Sequence, residues 1–215
     1  MRQIATVGII AGLIFASSGD AFEPADLDRF LATNECEACD LTEIGTALAG
    51  RDSSGAKLAG ADLSANTYIR AANLDGADFQ GAKFIDSRFL DTSANGAIFV
   101  DADMTDAGIL NTAMRGANLA GALLVNTNIR NTDFRNAVLA GADLSGAQIV
   151  GALFGDADLS GANLSGVALD RSSITNADLT DADLTGATIS RMNWSSAILC
   201  RTTMPDGTVN NDNCP

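Results

Sequence analysis

From Ala72 to Arg201 the chain repeats every five residues without a slip, as in Ala142-Asp-Leu-Ser-Gly, Ala157-Asp-Leu-Ser-Gly and Ala182-Asp-Leu-Thr-Gly. In each pentad a small residue stands first and a large apolar one third. Extended backbone puts positions two apart on one side, so both face inward. The next inward residue comes three positions later, which a straight strand cannot accommodate. The chain must turn a corner every five residues and stack on its previous coil, which makes it a β-helix.

The exceptions to alanine at the first position count the sides of the coil. Ser87, Thr92, Thr112, Thr127, Thr132, Val167, Ser172 and Met192 fall in only two of the four columns made by sorting every fourth pentad together. The columns through Ala77 and Ala82 are pure alanine. A three-sided coil would scramble this pattern, so the coil has four sides. With strands ~4.8 Å apart, about seven coils make a solid prism roughly 35 Å long. Phe79 and Phe99, and likewise Phe134 and Phe154, are predicted to stack one coil apart. Upstream, Ala56-Lys-Leu-Ala-Gly and Ala61-Asp-Leu-Ser-Ala run in a frame shifted by one, with the extra residue expected between Asn66 and Ala72.

The A-[DN]-L-x-x pattern, carried by residues such as Ala142, Asp143 and Leu144, resembles the pentapeptide-repeat family. The resemblance covers about two thirds of the chain and implies an all-β, right-handed quadrilateral β-helix. It implies no active site, because fold and function separate in such scaffolds.

Residues 1–21 read as a secretory signal: Arg2, an apolar run from Ile4 to Ala16, then small residues ending at Ala21. The run is shorter than the ~20 residues that span a bilayer. The expected product is periplasmic or secreted, with no membrane span after cleavage. Residues 22–45 form an N-terminal cap, in which Leu27, Phe30 and Leu31 stand at helical spacing behind Pro24. Residues 46–201 form the β-helix, and 202–215 a C-terminal cap. Capping is required because an open end exposes strand edge and core.

The four cysteines lie only at the ends. Bridged Cα atoms lie within ~7 Å, so Cys36 is expected to pair with Cys39 and Cys200 with Cys214. The Cys36-Glu-Ala-Cys39 spacing also matches thiol-redox motifs, which gives one alternative function.

There is no histidine and no phosphate-binding glycine motif, which removes triads, most catalytic zinc sites and the usual neutral-pH base. The chain is read as non-enzymatic, with no catalytic residue, no cofactor and no dedicated metal site. Net charge is −14, and the acids collect on the two pure-alanine faces. The chain is expected to be either a structural rod or a binding scaffold, in which Asp103, Asp143, Asp158, Asp178, Asp181 and Asp183 form an interaction ridge for a cationic protein partner or divalent ions. Direct nucleic-acid binding is not expected from a chain of this charge. The family resemblance supplies a further alternative, a DNA mimic that binds gyrase. The sequence leaves the oligomeric state open.

Overall fold

The computed structural model describes residues 23–42, 44–65 and 67–214, and the expected leader lies outside them. Helix α1 (Pro24–Thr33) precedes seven three-residue strands: β1 (Tyr68–Arg70), β2 (Arg88–Leu90), β3 (Gly108–Leu110), β4 (Asn128–Arg130), β5 (Gln148–Val150), β6 (Ala168–Asp170) and β7 (Thr188–Ser190). These strands form one parallel sheet in sequence order. Each residue pairs with the one 20 positions on, from Tyr68 with Arg88 to Ala168 with Thr188. Six turns of a four-sided parallel β-solenoid therefore join the seven strands. The other three faces pair through single residues, as Asp78 with Ile98, Asp103 with Leu123 and Ser93 with Ala113.

Corner geometry explains the pentad. The fifth residue adopts a left-handed backbone at nearly every corner, as at Gly141 (φ 65°), Asp106 (φ 60°) and Asn176 (φ 57°). Glycine, asparagine and aspartate tolerate that region, so they recur there. Three corners of each turn close with a bond from the first-position N–H to the third-position carbonyl three residues back, as Ala77 to Leu74 at 3.0 Å and Ser87 to Phe84 at 3.0 Å. Among the described residues no such bond closes the corner that follows each β-strand. There the Thr92, Thr112 and Thr132 hydroxyls donate to the carbonyls of Leu90, Leu110 and Arg130. Ser172 donates to Asp170 in the same way. The polar exceptions to alanine in that column thus add a second donor to carbonyls that already accept from the preceding coil, as Leu90 does from the Ala71 N–H at 2.9 Å.

The interior is filled by first- and third-position residues, and Leu144, Ala142 and Leu164 are typical of its buried members. Phe79 stacks on Phe99 at 5.1 Å and Phe134 on Phe154 at 5.0 Å between centroids, the two pairs expected from the repeat.

The N-terminal coils are longer. Glu35 pairs with Lys57 and Asp40 with Asp62, 22 positions apart, while Asp52 pairs with Asn73, 21 apart. Coil pairing therefore begins at Glu35, inside the segment that the sequence assigns to the cap. Thr67 and Ile69 are already buried in the later frame, so the frame shift precedes Thr67 rather than following Asn66. A second extra residue was not foreseen. Gly45 accepts from Tyr68 and Gly50 donates to Arg70, so residues 45–50 do the work of 67–71 with one residue more.

Helix α1 covers the first coil as expected, but with a different face. Phe30 is buried under the Arg51 guanidinium, 5.2 Å from its ring centre. Leu31 is 39% exposed, a correction to the predicted apolar stripe. Its carbonyl instead accepts from Arg51 at 3.1 Å. At the other end β8 (Thr202–Thr203) and β9 (Val209–Asn210) form an antiparallel hairpin. Leu199 then donates to Asp212 across the last coil.

Candidate functional site: the anionic ridge

Each second-position aspartate has a local structural reason. Asp143 accepts the Ser145 N–H at 2.8 Å, Asp158 that of Ser160 at 2.9 Å and Asp178 that of Thr180 at 2.8 Å. Asp103 caps Thr105 and Asp183 caps Thr185 in the same way. Asn118 and Asn163 do so with an uncharged oxygen. These are Asx turns, and they use one carboxylate oxygen to hold the chain's turn into the corner. The fold needs the oxygen, not the charge.

The structure brings Asp103, Asp143 and Asp183 onto one face and Asp158 and Asp178 onto its neighbour. Asp181 stands at a left-handed corner between them (φ 61°). It pairs with Arg201 at 2.6 Å, and that hydrogen bond holds its carboxyl below the usual carboxylate range. The Thr185 hydroxyl, then the Thr185 N–H, lower Asp183 likewise. The two other cations on this side are also engaged, Lys57 with Glu35 and Lys83 with Asp62. Among the described residues, Asp78, Asp86, Asp101, Asp103, Asp106, Asp143, Asp158, Asp178 and Asp183 have no ion-pair partner. The ridge is therefore uncompensated along most of its length.

The opposite side differs. Asp133 pairs with Arg135 at 2.6 Å and Arg115 at 3.9 Å. Asp170 pairs with Arg171 at 3.0 Å and Arg191 at 2.9 Å. On that side, among the described residues, Asp75, Asp91 and Asp156 also have no ion-pair partner, but the arginines there keep the faces near charge balance.

The ridge is not built as an ion cage. Among the described residues the one group of three potential metal ligands within reach of one another is Asp26, Cys36 and Cys39. Those two sulfurs are joined in a disulfide, with Cα atoms 5.5 Å apart, and Cys200 is joined to Cys214 at 4.7 Å. Cys36 and Cys39 are each 2% exposed and follow α1 rather than opening a helix. The setting suits a brace within the first coil better than an exchange site, which needs an accessible sulfur. Among the described residues no helix is long and apolar enough to cross a membrane.

Comparison with known proteins places this geometry. The family model for pentapeptide repeats matches in 8 copies across residues 72–108, 117–156, 152–191 and 177–204. The chain belongs to the pentapeptide-repeat family. Three solved pentapeptide-repeat structures illustrate the likeness. HetL, involved in heterocyst differentiation regulation in the cyanobacterium Nostoc, is 23% identical, with 88% of this chain and 100% of that one covered and a TM-score of 0.26. QnrB1, a plasmid-mediated fluoroquinolone resistance protein, is 20% identical over 76% of this chain and 80% of that one, with a TM-score of 0.35. A protein from the Arabidopsis thaliana thylakoid lumen is 23% identical over 75% and 74%, with a TM-score of 0.25. No curated protein matches the chain.

Proposed function

We propose that this pentapeptide-repeat protein is an exported, non-enzymatic scaffold whose anionic ridge docks a cationic protein surface. The observation that carries this reading is the set of nine carboxylates without an ion-pair partner on two adjacent faces. Such a surface steers a basic partner and sets its orientation, with an attraction that weakens as salt screens it. Export is supported by the leader-like residues 1–21 and by disulfides at both ends, which persist in an oxidising compartment.

The corner caps make a clean test available. Because Asn163 caps its corner as Asp143 does, the combined variant Asp143→Asn, Asp158→Asn, Asp178→Asn and Asp183→Asn removes charge while keeping the turns. Wild-type protein captures basic envelope proteins at low salt and releases them as salt rises, and the variant fails to capture them. Retention of every captured protein by the variant overturns the reading. Protection or inhibition of gyrase supercoiling by the purified protein selects nucleic-acid mimicry instead.

A further inference from the structure

The sheet face, on the far side of the prism from part of the ridge, carries a feature that the ridge does not explain. A cleft of about 470 Å³ opens across β1 to β3, lined by Thr46, Ala49, Tyr68, Arg70, Arg88, Leu90 and Leu110. Its size lies in the range of small-molecule sites.

Three levels of structure create it. Register places Tyr68 beside Arg88 and Arg70 beside Leu90, with Leu110 next along. The two arginines therefore lie on a diagonal of the sheet, with Cα atoms roughly 8 Å apart from strand spacing and rise. Two guanidinium groups at that separation can converge on one anionic group. Next to Arg88 in the ladder stands Gly108, whose missing side chain leaves Leu110 to lie across it. A Cβ there would meet Leu110 Cδ1 at 3.2 Å. The extra residue in segment 45–50 completes the enclosure, since Thr46 and Ala49 of that segment form the remaining wall.

Charge makes the cleft unusual on a chain of net charge −14. Among the described residues Arg70 and Arg88 have no acidic partner within ion-pair distance, as is also true of Arg130 on β4, whereas Arg115, Arg135, Arg171 and Arg191 each have one. Arg88 lies 5.9 Å from the centre of the Tyr68 ring, and Tyr68 is 42% exposed. Asp86 and Asp106 line the adjoining hollow with Arg88 without pairing with it. A site of two arginines beside an aromatic ring and leucines suits a ligand with one anionic head and an apolar body. A free inorganic anion leaves the apolar wall unused, and a polyanion meets the repulsion of the acidic faces.

We propose that this cleft binds an amphipathic organic anion, with Arg70 and Arg88 holding a carboxylate or sulfonate head and Leu90, Leu110 and Tyr68 packing its apolar body. The site is independent of the ridge, so either can fail alone.

The test uses the processed full-length protein with anilinonaphthalene sulfonate as a fluorescent probe and decanoate as competitor. Saturable one-to-one binding, displaced by decanoate but not by decanol or inorganic phosphate, is expected. The Arg70→Gln/Arg88→Gln double variant raises the dissociation constant at least tenfold. Leu110→Gln, which keeps both charges, also weakens binding, and methyl shifts on decanoate addition centre on Leu90 and Leu110. Absence of saturable binding overturns the proposal, as does an unchanged constant in both variants. Methyl shifts centred instead on Leu179 and Leu184, which with Trp194 line a small apolar void near the C-terminal end, also overturn it.

Discussion

The same side chain exchanged in opposite directions at two left-handed corners, one closed by the Ala142 N–H and one following β1, tests the account of the pentad. Gly141 holds φ 65°, and Ala71 holds φ 53° at the fifth position of an earlier pentad. A methyl group added at Gly141 meets nothing within 4 Å, so packing does not enter and only backbone conformation differs. An L-residue in the left-handed region costs roughly 1–2 kcal/mol. Replacing glycine with alanine also restricts the unfolded chain, which offsets about 0.4–1 kcal/mol. Gly141→Ala is therefore expected to destabilise by about 1 kcal/mol, and Ala71→Gly to stabilise by about the same amount. Gly141→Asn falls between Gly141→Ala and wild type, because asparagine visits this region more readily than alanine.

Urea melts measure the effect as a shift in midpoint at constant slope. The signs separate two mechanisms. If unfolded-state entropy alone governed these corners, Gly141→Ala would stabilise and Ala71→Gly would destabilise. That pattern would refute the claim that the left-handed corner dictates the residue at the fifth position.

Four other outcomes follow from the geometry. Asp143→Ala deletes the acceptor for Ser145 at 2.8 Å and for the Asn163 amide at 3.1 Å and is expected to cost about 1–2 kcal/mol in urea melts, while Asp143→Asn stays near zero. Fully buried Leu144 and Ala142 respond to volume: Leu144→Ala costs ~2–5 kcal/mol and Ala142→Phe at least ~1–3 kcal/mol, by the same assay. The Arg135 side-chain hydrogen bond, with the Arg135 N–H and the Arg135 and Arg115 charges behind it, holds the Asp133 carboxyl below its ordinary value against the opposing effect of burial. Its stabilisation is thus complete above the ordinary carboxylate range and lost as pH falls through the lowered folded value, so the wild-type advantage over Asp133→Asn shrinks in acid melts and is flat near neutrality. Asp178→Asn stabilises by up to about 1 kcal/mol at low salt and by nothing in 1 M NaCl, because Asp178 pairs in register with Asp158 and two charges ~4.8 Å apart repel by that order in water.

The four-sided coil was legible because its determinants are local and repeated. Phe79 over Phe99 and Phe134 over Phe154 follow from counting alone, since every coil from Tyr68 onward advances 20 residues. Where the count changes, the reading falters. The extra residue in segment 45–50 leaves no mark in the pattern of Ile44, Ala47 and Leu48, and only the register with residues 67–71 shows it. Leu31 fits a helical stripe as well as Phe30 does, and a rotation of α1 by about 100° against the coil decides between these adjacent residues. The ridge was legible as composition, but its lack of compensation was not, because Lys83 turns to Asp62 in the previous coil. The cleft was not legible at all. It depends on Gly108 beside Arg88 and on the unforeseen residue below them.

Aspartate and asparagine serve the second-position cap equally well, and this separates the demands of folding from those of function. The two ridge faces carry aspartate at second positions 78, 103, 143, 158, 178 and 183, whereas the other two carry it from Asn73 to Asn193 only at Asp133. Folding gives no reason for that bias, since Asn118 and Asn163 close the same corners. Electrostatics opposes it, since Asp158 and Asp178 are neighbours in the ladder and like charges so placed destabilise. Asp133, by contrast, stands between two arginines that compensate it. The aspartate bias of the ridge faces is thus a cost that asparagine would spare the fold, and it is the ground on which the proposed docking of a positively charged surface rests.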